Sequence, residues 1–286
     1  MFWDAMSSLK WYQALALNLL FLICFTLIAV VFLGRKDVVG KLALRNSLVS
    51  IGFYLSHFIA IPLIIVFNQG ATALYAVLGV PHLEPAVWQS SPLWVAILCS
   101  VIGHDFCNYW THRLIHAPLL WPIHAIHHSD THVNPLTSYR IHFLESLVMA
   151  AVFVVLLSWL GLPPAAIAAG GVISGLYQFY VHIEADVDHG RLNWLLASPR
   201  FHRWHHADVP EFQGRNLANI IPLWDVMFGT YRAAGRCDAP MGARTAGIPD
   251  TDFIKLFLFP FAAWTGQLRH AAACCLARLI KWNHEG

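Results

Sequence analysis

The sequence predicts an all-α fold: a polytopic membrane helical bundle of about four to five spanning helices, carrying a cytosolic histidine-rich helical cap. Three observations predict it. Of 286 residues, 57% are hydrophobic and only 12% are charged, against about 45–50% and about 25% in soluble domains. The apolar residues fall into runs near the ~20 residues that a helix needs to cross a bilayer core. The 17 histidines are concentrated between and after those runs, not inside them.

The first predicted span, 12–33, contains no charge. The start, MFWDAMSSLKWY, has an acid and aromatics where a cleaved leader has a basic region, so it reads as no signal peptide. The second span, 47–67, holds His57 as its one ionisable residue, and the third, 93–110, turns polar at His104-Asp105. The fourth and fifth, 143–162 and 165–181, flank Gly161-Leu162-Pro163-Pro164, which reads as a tight turn between two antiparallel helices. Ala71–Val80 is too short to cross and reads as re-entrant or interfacial. The C-terminal stretch, about 253–282, is apolar but broken by Pro260, Arg269, Arg278 and Lys281, which fits a helix lying in the membrane interface. The whole chain, 1–286, reads as one domain.

Charge placement orients the spans. Arg35, Lys36, Lys41 and Arg45 lie in the first connection, whereas 68–92 and the 161–164 turn carry no Lys or Arg. Lysine and arginine accumulate on the cytoplasmic side, so the cap segments 111–142 and 182–232 are expected in the cytoplasm. The net charge of +2 and the lack of a basic block give no nucleic-acid signature. The six cysteines (24, 99, 107, 237, 274, 275) form no C-x-x-C pair, which argues against a disulfide framework or a zinc ribbon.

Within the cap, His112 and His116 are four apart and share one helix face. His124, His127 and His128 follow the pattern H-x-x-H-H, and His202, His205 and His206 repeat it. Adjacent residues on a helix diverge by about 100°, which lets neighbouring imidazoles serve two different ions. Eight imidazoles exceed what one ion takes, so two transition metals with about four nitrogens each are the natural partition. Imidazole suits zinc, copper, iron and nickel, and the spacing does not choose among them. Lone histidines His57, His82, His104, His270 and His284 read as packing, capping or interfacial groups. Metal-bound imidazoles usually donate their second N–H to a carboxylate or carbonyl. Asp105, Glu145, Asp186 and Asp188 are the candidates, and helical phase favours Asp105 because it shares a face with His112. Trp110, Trp121 and Trp204 read as interfacial anchors or as the lining of a lipid path.

The stretches "DFCNYWTHRLIH", "HAIHH" and "SPRFHRWHH", with "WDVMFGTY" after them, resemble the fatty acid hydroxylase/sterol desaturase superfamily of integral-membrane non-heme diiron enzymes. The resemblance covers roughly 95–232. It implies two iron ions held by His112, His116, His124, His127, His128, His202, His205 and His206. It also points to His182, near the end of the last membrane helix, as a ninth ligand, although Ile183-Glu184 follow where the family has a small polar residue and Asn. His142 sits in Arg140-Ile141-His142-Phe143-Leu144-Glu145, similar to a family Arg-x-His-Pro-x-Glu segment with Phe143 in place of proline, and is expected as a ligand or a group supporting one. His132 and His189 are weaker candidates.

The implied reaction is O2-dependent hydroxylation of a C–H bond in a membrane lipid, a fatty acyl chain or a sterol. A desaturase on the same site, a histidine-rich metal-handling or transport protein, and a zinc-dependent lipid hydrolase are the alternatives. The sequence has no nucleotide-binding glycine motif and no iron–sulfur cysteine pattern. Electrons are therefore expected from a partner, such as a cytochrome b5-like protein or a ferredoxin with its reductase.

Overall fold

The structure is a computed structural model that describes residues 41–285 together with Leu20, Ile23 and Leu27. The span expected at 12–33 otherwise lies outside the described residues, as do Cys24 and the side chain of His284. Among the described residues the protein is helical throughout, with one isolated bridge between Ala207 and Met241. The helices are α1 (Lys41–Val77), α2 (Ala86–Gln89), α3 (Leu93–Ile115), α4 (Trp121–His128), α5 (Phe143–Leu157), α6 (Pro164–Val181), α7 (Pro199–His205), α8 (Leu223–Met227) and α9 (Phe253–Glu285).

One expectation is corrected. The segment 71–80 is not a separate re-entrant piece: α1 runs unbroken through Pro62 to Val77. Its 37 residues give a length of about 55 Å, well beyond the ~30 Å of a bilayer core. Its window Ala60–Val77, with mean hydropathy 1.6, is long and apolar enough to cross a membrane. The helix α3 runs past Trp110 to Ile115, so the third expected span continues into the cap as the shared helix face of Asp105, His112 and His116 requires. Among the described residues, the other helix long and apolar enough to cross a membrane is α5 with its 3-10 extension, over Phe143–Leu160, with mean hydropathy 2.3.

The 161–164 turn forms as the sequence suggests. Gly161 takes a left-handed φ of +52°, Pro163 is the N-cap of α6, and Pro164 starts the helix. A glycine suits the first position and proline the last. The two helices it joins pack chiefly against α3 rather than against each other. Ala96, Cys107, Leu157, Leu162, Ala166 and Ile167 form the shared apolar core of α3, α5 and α6. A second cluster, of Ala60, Ile64 and Ala150, joins α1 to α5. Val49, Phe53, Ala125, Ile126 and Leu256 join α1, α4 and α9.

Arg140 fastens the cap to this base. It is fully buried, and its guanidinium donates to the Ile126 carbonyl (3.1 Å), Ser129 Oγ (3.0 Å), Asn46 Oδ1 (3.0 Å) and the Asp250 carbonyl. Asp130 lies 3.9 Å away and supplies the compensating charge. A buried cation is tolerated when it is paired and its donors are filled. One side chain thus holds α1, the C-terminal end of α4 and the segment before α9 in register.

The α3–α6 contact depends on Gly170. A Cβ there would overlap Ser100 Oγ and crowd the Ser100 backbone carbon at 3.0 Å, whereas Gly175 on the same helix has open space. Gly170→Ala should therefore lower the thermal midpoint in detergent, although alanine is the better helix former by about 1 kcal/mol. Gly175→Ala should leave it unchanged or raise it. A rise in both variants would contradict the close approach.

Candidate metal centre

Short helices and helix ends carry the histidines. His112 lies in the last turn of α3, and His116 is its C-cap. His124, His127 and His128 sit on α4, where Pro122 stands in the first turn. His202 and His205 lie on α7 and His206 caps it. The Ser198 side chain accepts from the Phe201 N–H (3.2 Å) and Pro199 opens that helix, a strong N-terminal signal in the sequence. His182 is the C-cap of α6.

Nine histidines converge in two adjoining groups. His112, His116, His124, His128 and His205 form one, and His127, His182, His202 and His206 the other. Within each group the candidate ligand nitrogens lie within 4.8 Å of one another. The adjacent pairs His127/His128 and His205/His206 each split between groups, as the ~100° divergence of neighbouring helix positions requires. Ring centroids of His128 and His206 lie 4.7 Å apart, so the groups touch.

Hydrogen bonds on the outer nitrogens orient the rings. Nδ1 of His112 donates to the Leu217 carbonyl (2.6 Å), that of His205 to the Arg215 carbonyl (2.8 Å), and that of His124 to Glu145 Oε1 (3.0 Å). This tautomer leaves a lone pair on each Nε2. The Nε2 atoms of His112, His116, His124, His128 and His205 are buried and without a partner. In the second group His182 Nδ1 donates to the Gln178 carbonyl (2.7 Å). Its Nε2 then lies 3.3 Å from His127 Nε2 and 3.0 Å from His202 Nε2, which is 3.1 Å from His206 Nε2. A ring nitrogen has one N–H or one lone pair, so protons alone do not satisfy this chain of contacts. A cation among the four nitrogens does. The donor set therefore fits two transition-metal ions of the kind imidazole prefers.

The electrostatics agree. Burial holds the imidazoles of His112 and His182 down at about 4, from an ordinary value of 6.5. Burial first, then mutual repulsion, holds the other seven well below it. All nine are neutral at pH 7, with lone pairs available.

The remaining candidates separate. Asp105 is not beside a histidine ring nitrogen: seven residues before His112 is two turns away, about 10 Å along the axis. It accepts instead from the Ile220 N–H (2.8 Å), the Ile221 N–H (2.9 Å) and Trp224 Nε1 (3.0 Å). Asp225 likewise accepts from the Leu217 and Ala218 N–H groups and from Thr230. These two carboxylates shape the 215–221 loop, whose carbonyls hold His112 and His205. That role, and the backbone carbonyls themselves, carried no sequence signal before the fold was known. Glu145 is the carboxylate that meets a ring. Asp186 and Asp188 pair with Arg200.

His142 is not brought to either group. It is the N-cap of α5, its Nδ1 accepting from the Leu144 N–H and its Nε2 donating to the Phe257 carbonyl. His132 and His189 also lie apart, beside Thr131 and Tyr180. His57 and His104 bond to the Phe53 and Ser100 carbonyls, and His82 and His270 are exposed. The five described cysteines are free. Of the three tryptophans, only Trp121 faces the histidines, 5.2 Å from His116 and 5.3 Å from His128; Trp110 packs on Phe228 and Trp204 on Phe212.

Known proteins carry the same segment. Residues 97–230 match the fatty acid hydroxylase family. Alkylglycerol monooxygenase of Xenopus tropicalis is 32% identical over 165 residues, 55% of this chain and 33% of that protein. Ornithine lipid hydroxylase OlsE of Rhizobium tropici is 30% identical over 151 residues, 52% of this chain and 45% of its own length. Methylsterol monooxygenase 1 of Gallus gallus is 28% identical over 153 residues, 51% of this chain and 50% of that protein. The matched segment thus spans a third to a half of these relatives. No solved structure matches significantly. All nine converging histidines, Asp105 and Glu145 lie within the residues, 97–230, that match the fatty acid hydroxylase family.

Proposed function

We propose that this protein is an O2-dependent diiron monooxygenase that hydroxylates a C–H bond of a membrane lipid. One observation carries the reading: nine neutral imidazoles, seven buried and two (His112 and His116) half-buried, divide into a set of five and a set of four whose inner nitrogens have no adequate protein partner. The names of the relatives support the reaction class, since each names a hydroxylase or monooxygenase of a lipid or sterol.

His112, His116, His124, His128 and His205 would hold one iron, and His127, His182, His202 and His206 the other. When bound, the pair of irons supplies the oxidation chemistry that a strong, unpolarised C–H bond requires and that acid–base side chains lack. The chain's own residues do the rest. The Leu217 and Arg215 carbonyls and Glu145 hold three rings in one tautomer, which fixes their lone pairs inward. The lipid approaches along the apolar helices, which end at the histidines, without crossing solvent.

In this reading the chain crosses the bilayer four to five times, and the metal centre lies on the cytoplasmic side, where the arginines and lysines of 34–46 place the adjoining connection. The two electrons that hydroxylation consumes come from an external donor, such as a cytochrome b5-like protein or a ferredoxin with its reductase. A transport role would need histidines strung along the spans. Here the nine sit together at the helix ends.

Purified full-length protein should contain two irons per chain and consume O2 when given reductant and its lipid, with an oxygenated product by mass spectrometry. His127→Ala and His205→Ala should each lower iron content and abolish turnover while leaving helicity by circular dichroism intact. Full turnover in either variant, or a zinc-only preparation, would contradict the assignment. Acidity offers a second check. The unfolded chain takes protons on these histidines near 6.5, whereas the fold holds His112 and His182 down at about 4 and the other seven well below 6.5. The metal-free protein is therefore at full stability above pH 6.5 and loses it as pH falls toward 4. Its thermal midpoint should be flat from pH 7 to 8 and drop steadily below 6.5. A midpoint unchanged down to pH 4.5 would mean the rings are solvated.

A further inference from the structure

A cavity opens directly onto the metal centre. Counted together with the open solvent at its mouth, the space not filled by protein atoms there is about 500 Å3. His112 and His124 of one histidine group and His127 and His202 of the other line one wall. The cavity therefore faces both candidate ion positions at once. Its remaining wall comes from the turns where α3, α5 and α6 reach the cap, and from the 217–219 loop.

That wall is more polar than an alkyl chain needs. Thr111, Glu145 and Asn219 line it, and all three are more than nine-tenths buried. Each has an oxygen with no hydrogen-bond partner: Thr111 Oγ1, Glu145 Oε2 and Asn219 Oδ1. Their other bonds leave these atoms over. Glu145 spends Oε1 on the His124 N–H, and Asn219 donates Nδ2–H to the Ser174 carbonyl. Buried polar atoms in proteins are nearly always satisfied, and exceptions call for a ligand, a water or an ion. Asn219 Oδ1 accepts only, whereas the Glu145 carboxyl oxygen accepts when ionised and donates when protonated, and the Thr111 hydroxyl does either. A group that donates to Asn219 Oδ1 is the complement this set requires. Waters held there would be displaced by an entering lipid, at a loss unless the lipid replaces their hydrogen bonds.

We propose that this cavity is the subsite for a hydrogen-bond-donating group on the substrate, a hydroxyl or an N–H, gripped by Asn219, Glu145 and Thr111 so that a neighbouring C–H faces the histidine groups. The inference rests on the hydroxylase reading and narrows it: the substrate is a lipid with a polar donor close to the oxidised carbon, not a bare hydrocarbon segment.

Equilibrium binding tests this without turnover. Displacement of tritiated 1-hexadecanol from the purified full chain, with no reductant present, is measured with three competitors: 1-hexadecanol, hexadecanamide and hexadecyl methyl ether, which accepts but does not donate. The two donors should compete about 10-fold better than the ether, because a site built to bond an O–H or N–H rejects the analogue lacking it. In Thr111→Val/Asn219→Leu the preference should fall below about 3-fold, and Thr111→Ser should retain it. Equal competition by the ether in the wild type, or an undiminished preference in the double variant, would overturn the proposal. If the double variant does not fold, Thr111→Val alone decides, since it removes a hydroxyl that bonds nothing in the structure; an unchanged preference there counts against the subsite. Metal analysis of the same samples keeps the two ideas apart. A wild type that prefers donors but binds no iron refutes the hydroxylase reading alone. An iron-loaded wild type without the preference refutes the subsite alone.

Discussion

Nine neutral imidazoles pressed together out of water are the constraint on which this fold turns. Each ring nitrogen offers one lone pair or one N–H, and His182 Nε2 alone has two other Nε2 atoms within 3.3 Å. Packing such groups into a low-dielectric interior costs free energy unless something absorbs the lone pairs. A pair of cations does so, and the protein's architecture can be understood as the means of delivering the rings to them. Two come from the end of α3, three from α4, one from the end of α6 and three from α7.

The supports lie one layer out. Asp105 on α3 accepts two backbone N–H groups of the 220–221 segment and the Trp224 indole N–H, and Asp225 accepts two from Leu217 and Ala218. Between them they bend the loop so that the carbonyls of Leu217 and Arg215 meet His112 and His205. Glu145 does the same for His124 from α5. Arg140 secures the end of α4 through the Ile126 carbonyl and Ser129. Helices of the base and rings of the cap are thus one mechanical unit, and the cavity beside the centre is bounded by the same turns.

Much of this was legible in the chain. The H-x-x-H-H repeats implied two groups, because helical phase separates adjacent residues. The Gly161–Pro164 turn followed from the conformations glycine and proline favour. Other parts were hidden for physical reasons. Helical phase put Asp105 with His112 but could not show that two turns of separation leave its carboxylate facing a loop 115 residues onward. The acceptors for His112 and His205 are carbonyls, which every residue has, so no side chain announces them. His142 shares its local sequence with Glu145, yet its ring is taken by the α5 N-terminus and Phe257. The length of α1 escaped hydropathy because the apolar run 71–80 is too short to span and is parted from 47–67 by Asn68-Gln69-Gly70, which the helix crosses without a break.

Iron K-edge X-ray absorption of the purified chain tests the central claim most directly. The account predicts two iron sites ligated by several imidazole nitrogens each, with the multiple-scattering pattern of histidine and no sulfur, and a loss of imidazole scattering in His182→Ala. An iron environment built from oxygen or sulfur, or a His182 variant with an unaltered spectrum, would contradict it.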